Sequence, residues 1–375
     1  MFRPKPKLFD DNVVIAHPKQ GVGPRHALYV DSLTFSQAAY GSQHPLGIAR
    51  TETVGKLTRK LGWLPETARR VSAPASISTL CRFHNKDYVK ALQAADRDGK
   101  VSRNFRVRYG LGTMENPLFA GVFKRAATTV GGSILAALLS LENRVVFHPA
   151  GGTHHGQPGR ASGFCYFNDP VFAVMTLLNA GINRVLYIDL DAHHGDAVEA
   201  AFEFDNRVYL LSIHEVERWP YTGKPSKNPC ICNLPVVKGC SDRDFERLMA
   251  DVALPFASSA EPQAIILTCG ADCLAGDPLS SMNLSNVSLW QAVEQFSTLA
   301  PAVVILGGGG YNPWTLARCW TGLWARLAGF KIPTVLPDSA KEILAALKCD
   351  LIDDEDIQSA WLSSIADQPS YTRQR

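Results

Sequence analysis

Little net charge, no long apolar run and no ordered cysteine pattern mark this sequence of 375 residues. The formal net charge of +3 gives no electrostatic reason to bind a phosphate backbone, so direct nucleic-acid binding is not expected. The nine cysteines are scattered, several of them in apolar segments (Cys165, Cys269, Cys319), and no zinc-finger spacing occurs. Cys230-Ile231-Cys232 fits a strand better than a ligand pair. An odd count without a framework fits a reducing compartment, and a cytoplasmic protein is expected. The longest apolar helical run, near Ile134–Leu141, reads as too short to span a bilayer. The basic start, Met1-Phe2-Arg3-Pro4-Lys5-Pro6-Lys7, leads into no apolar core of a secretory signal. Neither an internal repeat nor a Ser/Gly linker interrupts the chain. One domain over 1–375 is therefore expected, with loops and at most one short strand over 1–40 and a frayed polar tail over 368–375.

What is present is ordinary globular composition, 46% hydrophobic and 19% charged, with ample material for a core. Periodicity predicts helices through Leu57 and Leu61, over Asp87–Asp96 and over Gly121–Glu142. The Gly131-Gly132 pair inside the last suggests close packing against a neighbour. Further on the chain alternates. Strands are predicted at Arg144–His148, Arg184–Leu190, Arg207–His214, Pro229–Pro235, Gln263–Thr268 and Ala302–Leu306. Helices are predicted at Pro170–Asn179, Ala197–Phe204, Asp242–Ser258, Val287–Leu299 and Pro313–Leu327. Strands separated by helices imply an α/β fold, a parallel sheet covered on both faces. Ligands in such sheets gather beyond the carboxyl ends of the strands. Those ends are Gly151–His155, Asp189–Asp196, Ser212–His214, Gly270–Asp277 and Gly307–Tyr311, and six of the ten histidines lie between His148 and His214.

The run Asp189-Leu190-Asp191-Ala192-His193-His194-Gly195-Asp196 is the richest of these ends. If the strand continues through it, Asp189, Asp191 and His193 share one face. Carboxylates and an imidazole converging at the end of a buried strand suggest a metal site, because buried charges need a partner. The plainer alternative is a polar turn with Asp196 at the start of the next helix. Asp272, in Cys269-Gly270-Ala271-Asp272, is the natural third ligand beside Asp191 and His193, although alone it reads equally as a cap. Three protein ligands leave a coordination position open, as catalytic metals require. The tandem His154-His155 suits proton transfer near neutral pH. Asp189 is expected to orient His154, and Asp196 to orient His155, each accepting from one ring nitrogen. Tyr311 follows four glycines and can donate a hydrogen bond to an oxyanion. No Lys-Ser/Thr follows that glycine run, which excludes a P-loop.

Taken together, Ser162–Asp169, His154-His155, Asp189–Asp196, Gly270-Ala271-Asp272 with Ala275–Pro278, and Gly307–Asn312 resemble the zinc-dependent histone deacetylase family. The likeness is nearest in flavour to its bacterial branch, which includes acetoin-utilization and acetylpolyamine-amidohydrolase proteins. It runs from about His44 to Leu327. It implies an arginase-like, three-layer α/β fold with a central, mostly parallel sheet and helices on both faces. It also implies a metal-dependent amidohydrolase that cleaves acyl-lysine amides on proteins or peptides by metal-activated water. An acetylpolyamine deacetylase and a non-catalytic acyl-lysine binding protein are the alternatives. One Zn2+ is the implied catalytic ion, with Fe2+ possible, and K+ a structural one.

Residue by residue, the resemblance gives Asp191, His193 and Asp272 as zinc ligands, His155 as general base and acid, His154 as its helper, and Tyr311 as the phenol on the carbonyl. Gly163 and Phe164 resemble one tunnel wall, Trp219 or its neighbours the other, and Leu279 the rim. Asp189, Asp191, His193, Ser212 and Ile213 resemble the inner potassium site. Phe202, Asp205 and Val208 resemble an outer one, and Arg50 an arginine near the pocket below the metal. The sequence departs from the family pattern at two places. Glu115 is the candidate acidic rim residue in an altered loop, and Arg218-Trp219-Pro220-Tyr221 leaves open whether Trp219 or Tyr221 faces the tunnel.

Overall fold

The computed structural model describes residues 27–36, 40–41 and 44–367. The basic start and the polar tail lie outside them. Eight strands form one sheet: β1 (Leu28–Asp31), β2 (Arg69–Val71), β3 (Val145–His148), β4 (Val185–Asp189), β5 (Val208–Glu215), β6 (Ile231–Val236), β7 (Ala264–Thr268) and β8 (Ala302–Leu306). Their order is β2-β1-β3-β8-β7-β4-β5-β6, and every pairing is parallel. The inner strands are apolar throughout; β7 reads Ala-Ile-Ile-Leu-Thr, all buried. Such continuous runs are what a sheet covered on both faces requires.

Helices are α1 (Arg50–Lys60), α2 (Ile77–Leu80), α3 (Lys86–Asp98), α4 (Arg103–Tyr109), α5 (Val122–Ser140), α6 (Asp169–Asn179) and α7 (Asp196–Phe202). They continue as α8 (Asp242–Leu248), α9 (Leu254–Ser259), α10 (Asn286–Ser297), α11 (Pro313–Leu327), α12 (Asp338–Ala345) and α13 (Ser359–Ser363). Alternate strand residues point to opposite faces. Leu186, Ile188, Ile265 and Leu267 pack with Val54 and Leu57 of α1, Trp290 of α10, and Trp320 and Trp324 of α11. Val185, Tyr187 and Ile266 pack on the other face with Ala136 of α5, Val171 and Val174 of α6, and Val198 of α7. The three-layer expectation holds, and the sheet is wholly parallel among the described residues.

Three sequence readings change. The strand does not continue through the aspartate-histidine run; β4 ends at Asp189, so a turn rather than strand alternation presents Asp191 and His193. The single helix expected over 242–258 is interrupted by a π turn, Met249–Ala253, before α9. Pro255 lacks an N–H and its ring would crowd the carbonyl four residues back, which a wider turn relieves. The apolar helix α5 is longer than the run judged too short for a bilayer. Its 19 residues are apolar enough in length and composition to cross one, but half of that stretch is buried in the fold. The glycine pair in α5 does serve close packing: a Cβ at Gly131 would lie 1.9 Å from the Ala73 carbonyl, and one at Gly132 would lie 2.4 Å from Nε2 of His148.

Candidate active site

Because all strands run the same way, their carboxyl ends share one rim. The four central strands β3, β8, β7 and β4 each lead directly into one polar segment. After β3 the chain turns through Gly151–His155. This loop is held from beneath by the start of α6. Asp169, fully buried, accepts the amides of Gly152 at 3.0 Å and Thr153 at 2.7 Å and the hydroxyl of Ser133 at 2.5 Å. The Asn168 side chain donates to the carbonyls of His154 and Gly156, both at 3.1 Å, and also caps α6. Gly152 adopts φ +91°, and a Cβ there would strike the Gly308 amide at 2.6 Å. Only glycine lets the loops after β3 and β8 approach this closely.

The ligand atoms of Asp191, His193 and Asp272 lie within 4.8 Å of one another, and all three residues are buried. Nδ1 of His193 is 2.9 Å from Asp272 and 3.1 Å from Asp191. Backbone amides fix the acids: Ala192 N–H donates to Asp272 at 3.1 Å, and His193 N–H and Gly309 N–H donate to Asp191 at 2.9 and 2.5 Å. Burial and the neighbouring Asp191 charge push the Asp272 carboxyl up. Burial works against a charge on His193, yet its bonds to Asp191 and Asp272 prevail and raise it to about 10. Two acids crowded in the interior with one imidazole make a site that calls for positive charge. One nitrogen and two oxygen donors suit a zinc-like divalent cation, and the residues present fit it.

The two histidines differ in environment. His154 is 2.6 Å from Asp189, which also takes the Tyr187 hydroxyl at 2.7 Å. Burial opposes charge on His154, but Asp189 and Asp191 outweigh it and lift the ring to about 9. His155 is 2.8 Å from Asp196, whose other oxygen accepts from Gln157 at 2.9 Å. Burial, then the charge of His154, pushes His155 down to about 3 despite Asp196. An acceptor imidazole and a cationic one thus stand side by side, their ring centroids 3.9 Å apart. Each pairs with the aspartate anticipated for it.

A cleft of about 430 Å³ reaches this group from the surface. Gly163, Phe164, Trp219 and Leu279 line it together with His155, His193 and Tyr311. The Trp219 ring stands 4.6 Å from His155 and 6.4 Å from His193, whereas Tyr221 is 71% exposed; Trp219 is the inner aromatic. Phe164 stands edge-on to Tyr311 at 5.8 Å. The Tyr311 backbone is pinned by Asp277 at 2.7 Å. Glu115 reaches the cleft, but its carboxylate accepts from Gly163 N–H at 2.9 Å and Asn116 at 3.1 Å.

Elsewhere, Ser212 lies beside Asp189 in register and bonds His214 at 2.8 Å; Ile213 is fully buried. The Asp205 carboxylate is taken by Arg207 at 2.6 and 2.9 Å. It sits in the turn between Phe202 and Val208, where its amide donates to the Phe202 carbonyl and its own carbonyl accepts from Val208. Arg50 donates to the carbonyls of Gly308 and Gly309 and lies over Trp320, in an inner cavity with Tyr40 and Arg125. Sequence reasoning gave no role to His84, Asn168, Asp169, Glu215, Arg218 or Asp277. Asn168, Asp169 and Asp277 lie inside the segments that carry the family resemblance, and Asn168-Asp169-Pro170 also reads as a helix start, but the sequence attaches no role to any of them.

The Histone deacetylase domain model matches residues 44–327. Histone deacetylase 8 of Xenopus tropicalis is 33% identical over 301 residues, 77% of this chain and 80% of that protein. Histone deacetylase 2 of Oryza sativa subsp. japonica is 35% identical over 295 residues, 75% of this chain and 57% of that protein. Among solved structures, an HDAC homolog from Aquifex aeolicus superposes with a TM-score of 0.86 at 33% identity. It covers 92% of this chain and 95% of that one, and an HDAC homolog complexed with SAHA matches equally. These matches favour neither the polyamine enzyme nor the non-catalytic binder. Shared sequence, shared sheet and a buried Asp-His-Asp triad agree, and the chain belongs to the histone deacetylase family, as a metal-dependent hydrolase acting on amides.

Proposed function

We propose that this protein removes acyl groups from the side-chain amines of lysines in proteins or peptides, with zinc as the catalytic ion held by Asp191, His193 and Asp272. The observation that carries the reading is that His193 of the buried triad lines the same cleft as an acceptor imidazole, His155, and a phenol, Tyr311. A bound zinc ion would act as a Lewis acid on the amide carbonyl and lower the pKa of water towards about 7. The remaining work falls to the chain. His155, its Nδ1–H held by Asp196, offers Nε2 to take a proton from the attacking water and return it to the departing amine. His154, its Nδ1 held by Asp189, stands against His155 and offers an electrostatic partner as charge builds. Tyr311 donates its hydroxyl to the developing oxyanion. Gly163, Phe164, Trp219 and Leu279 enclose the uncharged acyl-lysine stem and exclude water, while Glu115 shapes the rim through Gly163.

Potassium at Asp189, Asp191, His193, Ser212 and Ile213 is part of the proposal, as is a cytoplasmic setting; the nine cysteines being free supports the latter. One catalytic domain carries the whole function, supported by the single sheet. The test is hydrolysis of fluorogenic acetyl-lysine peptides and of acetylated polyamines by protein loaded with Zn2+ or Fe2+. Peptide turnover is expected to exceed polyamine turnover. Turnover of polyamines alone, or of neither substrate with metal bound, overturns the proposal.

A further inference from the structure

Two loops line the cleft, one after β5 carrying Trp219 and one after β7 carrying Leu279. A charged pair ties them together. Glu215, the last residue of β5, is 6% exposed. Its carboxylate accepts hydrogen bonds from Arg218 Nη2 at 2.8 Å and from the Ser281 amide at 2.7 Å; Arg218 Nε lies 2.7 Å away as an ion-pair contact without a hydrogen bond. Arg218 then reaches the second loop: Nη1 donates to the Leu279 carbonyl at 2.7 Å, and Nη2 to the Ser281 hydroxyl at 3.1 Å. This forked geometry is what a guanidinium offers and an ammonium cannot.

The next residue is Trp219, whose ring closes on His155. The far end of its loop is fastened separately. Thr222 Oγ1 is 2.8 Å from His194, the Gly223 carbonyl is 3.0 Å from His214, and the Lys224 carbonyl accepts from Asn233 at 3.3 Å. Glu217, just before Arg218, and Tyr221, between the two anchors, hold left-handed φ values of 57° and 64°. Non-glycine residues keep such conformations where their surroundings impose them. At the near end the Val216 amide bonds the Val236 carbonyl at 2.8 Å, and beyond that point Arg218 is the side chain that ties the loop to the Leu279 segment.

We propose that Arg218 is a positioning residue that sets the width of the acyl cleft, by locking the Trp219 loop to the Leu279 loop. This rests on the deacylase reading given above. Asp191, His193, His154, His155 and Tyr311 stand on other segments, and Asp272, earlier on the Leu279 loop, is held by the Ala192 amide, so bound substrate still meets its chemistry when the lock is lost. What suffers is the fit of the walls around the stem. Loss of Arg218 then weakens binding more than turnover and relaxes discrimination between acetyl and longer acyl groups.

Arg218→Ala and Arg218→Lys are compared with the zinc-loaded wild type in three measurements. These are KM and kcat on acetyl- and hexanoyl-lysine peptides, the Kd of a linear hydroxamate, and hydrogen exchange at residues 279–281 in the protein without substrate. Arg218→Ala is expected to raise KM for the acetyl peptide and Kd for the hydroxamate about tenfold, with kcat within about threefold. Exchange at Ser281 is expected to quicken and the preference for acetyl over hexanoyl to narrow. Arg218→Lys, which keeps the charge but not the fork, is expected to fall between. Unchanged KM, Kd and exchange would overturn the proposal, as would a fall in kcat alone, or full recovery with lysine. A wild type that cleaves no acyl amide would sink the functional reading instead, leaving hydroxamate affinity and exchange to decide the lock.

Discussion

Acid should destabilise this protein in part through His84, a residue with no chemistry of its own. His84 is 1% exposed. Its Nδ1 lies 3.0 Å from the Gln157 carbonyl, and its Nε2 accepts the Asn168 amide at 3.0 Å. A backbone amide can only donate, so Nε2 must be bare and Nδ1 must carry the proton. A second proton would set N–H against N–H. Burial lowers the ring from 6.5 to about 4, against the help of the Gln157 and Pro158 carbonyls. The unfolded chain binds this proton with ordinary affinity and the folded chain does not. The stabilisation is thus complete above about pH 6.5 and is lost as pH falls towards 4. The gap corresponds to about 3 kcal/mol in full, of which about 2 kcal/mol disappears between pH 7 and pH 5.

Phe83, Phe167 and Phe172 surround the ring, so His84→Phe keeps the packing while removing the titration. The variant should be about 1–3 kcal/mol less stable at neutral pH, because the Asn168 amide is left unpaired. Urea unfolding of both proteins at several pH values reads the difference. The wild type's advantage should shrink by about 2 kcal/mol between pH 7 and pH 5. An advantage that stays constant would refute the argument, since the acid loss would then come from other groups.

Three further outcomes are expected. Tyr311→Phe should lower kcat by about 10²- to 10³-fold, as removal of an oxyanion donor does, while zinc content by metal analysis stays at one per chain; full turnover would remove its assigned role. His155→Ala should lose more activity than His154→Ala, because only His155 is an acceptor at neutral pH, and the reverse order would exchange their roles. Gly163→Ala places a methyl 2.4 Å from the Trp219 ring and 2.6 Å from His155, on a backbone at φ +55°. Its hydroxamate affinity should fall at least about tenfold, and calorimetry showing wild-type affinity would mean that Trp219 does not form this wall.

The strands from β3 to β8 were legible within a residue or two because each is a short apolar run bounded by polar or glycine residues, as Val145–His148 and Ala302–Leu306 illustrate. Asp191, His193 and Asp272 were legible because they stand where those runs stop. Less could be read where the chain is short of pattern: β2 is three residues, Arg-Arg-Val, with none buried, and α4 is a basic helix with one buried residue, Tyr109. The strand reads over Arg184–Leu190, and its continuation to His193 stays open in the sequence because alternation has no end marker there. The actual stop at Asp189 reflects three-dimensional demands, with the Asp191 carboxylate turning to meet amides from Gly309 and His193. Pairings between distant segments, such as Arg218 with Leu279 or His84 with Asn168, leave no periodic trace at all. They depend on loops whose paths only the folded chain defines.

The order of the sheet has a bearing on how this molecule comes into being. β8, last of the strands to leave the ribosome, is inserted between β3 and β7. Until residues 302–306 arrive, the first three strands and the other four share no ladder, and the groups that meet around the metal belong to two unjoined halves. The final strand is the keystone of the arch, so no partly made chain has a finished catalytic centre.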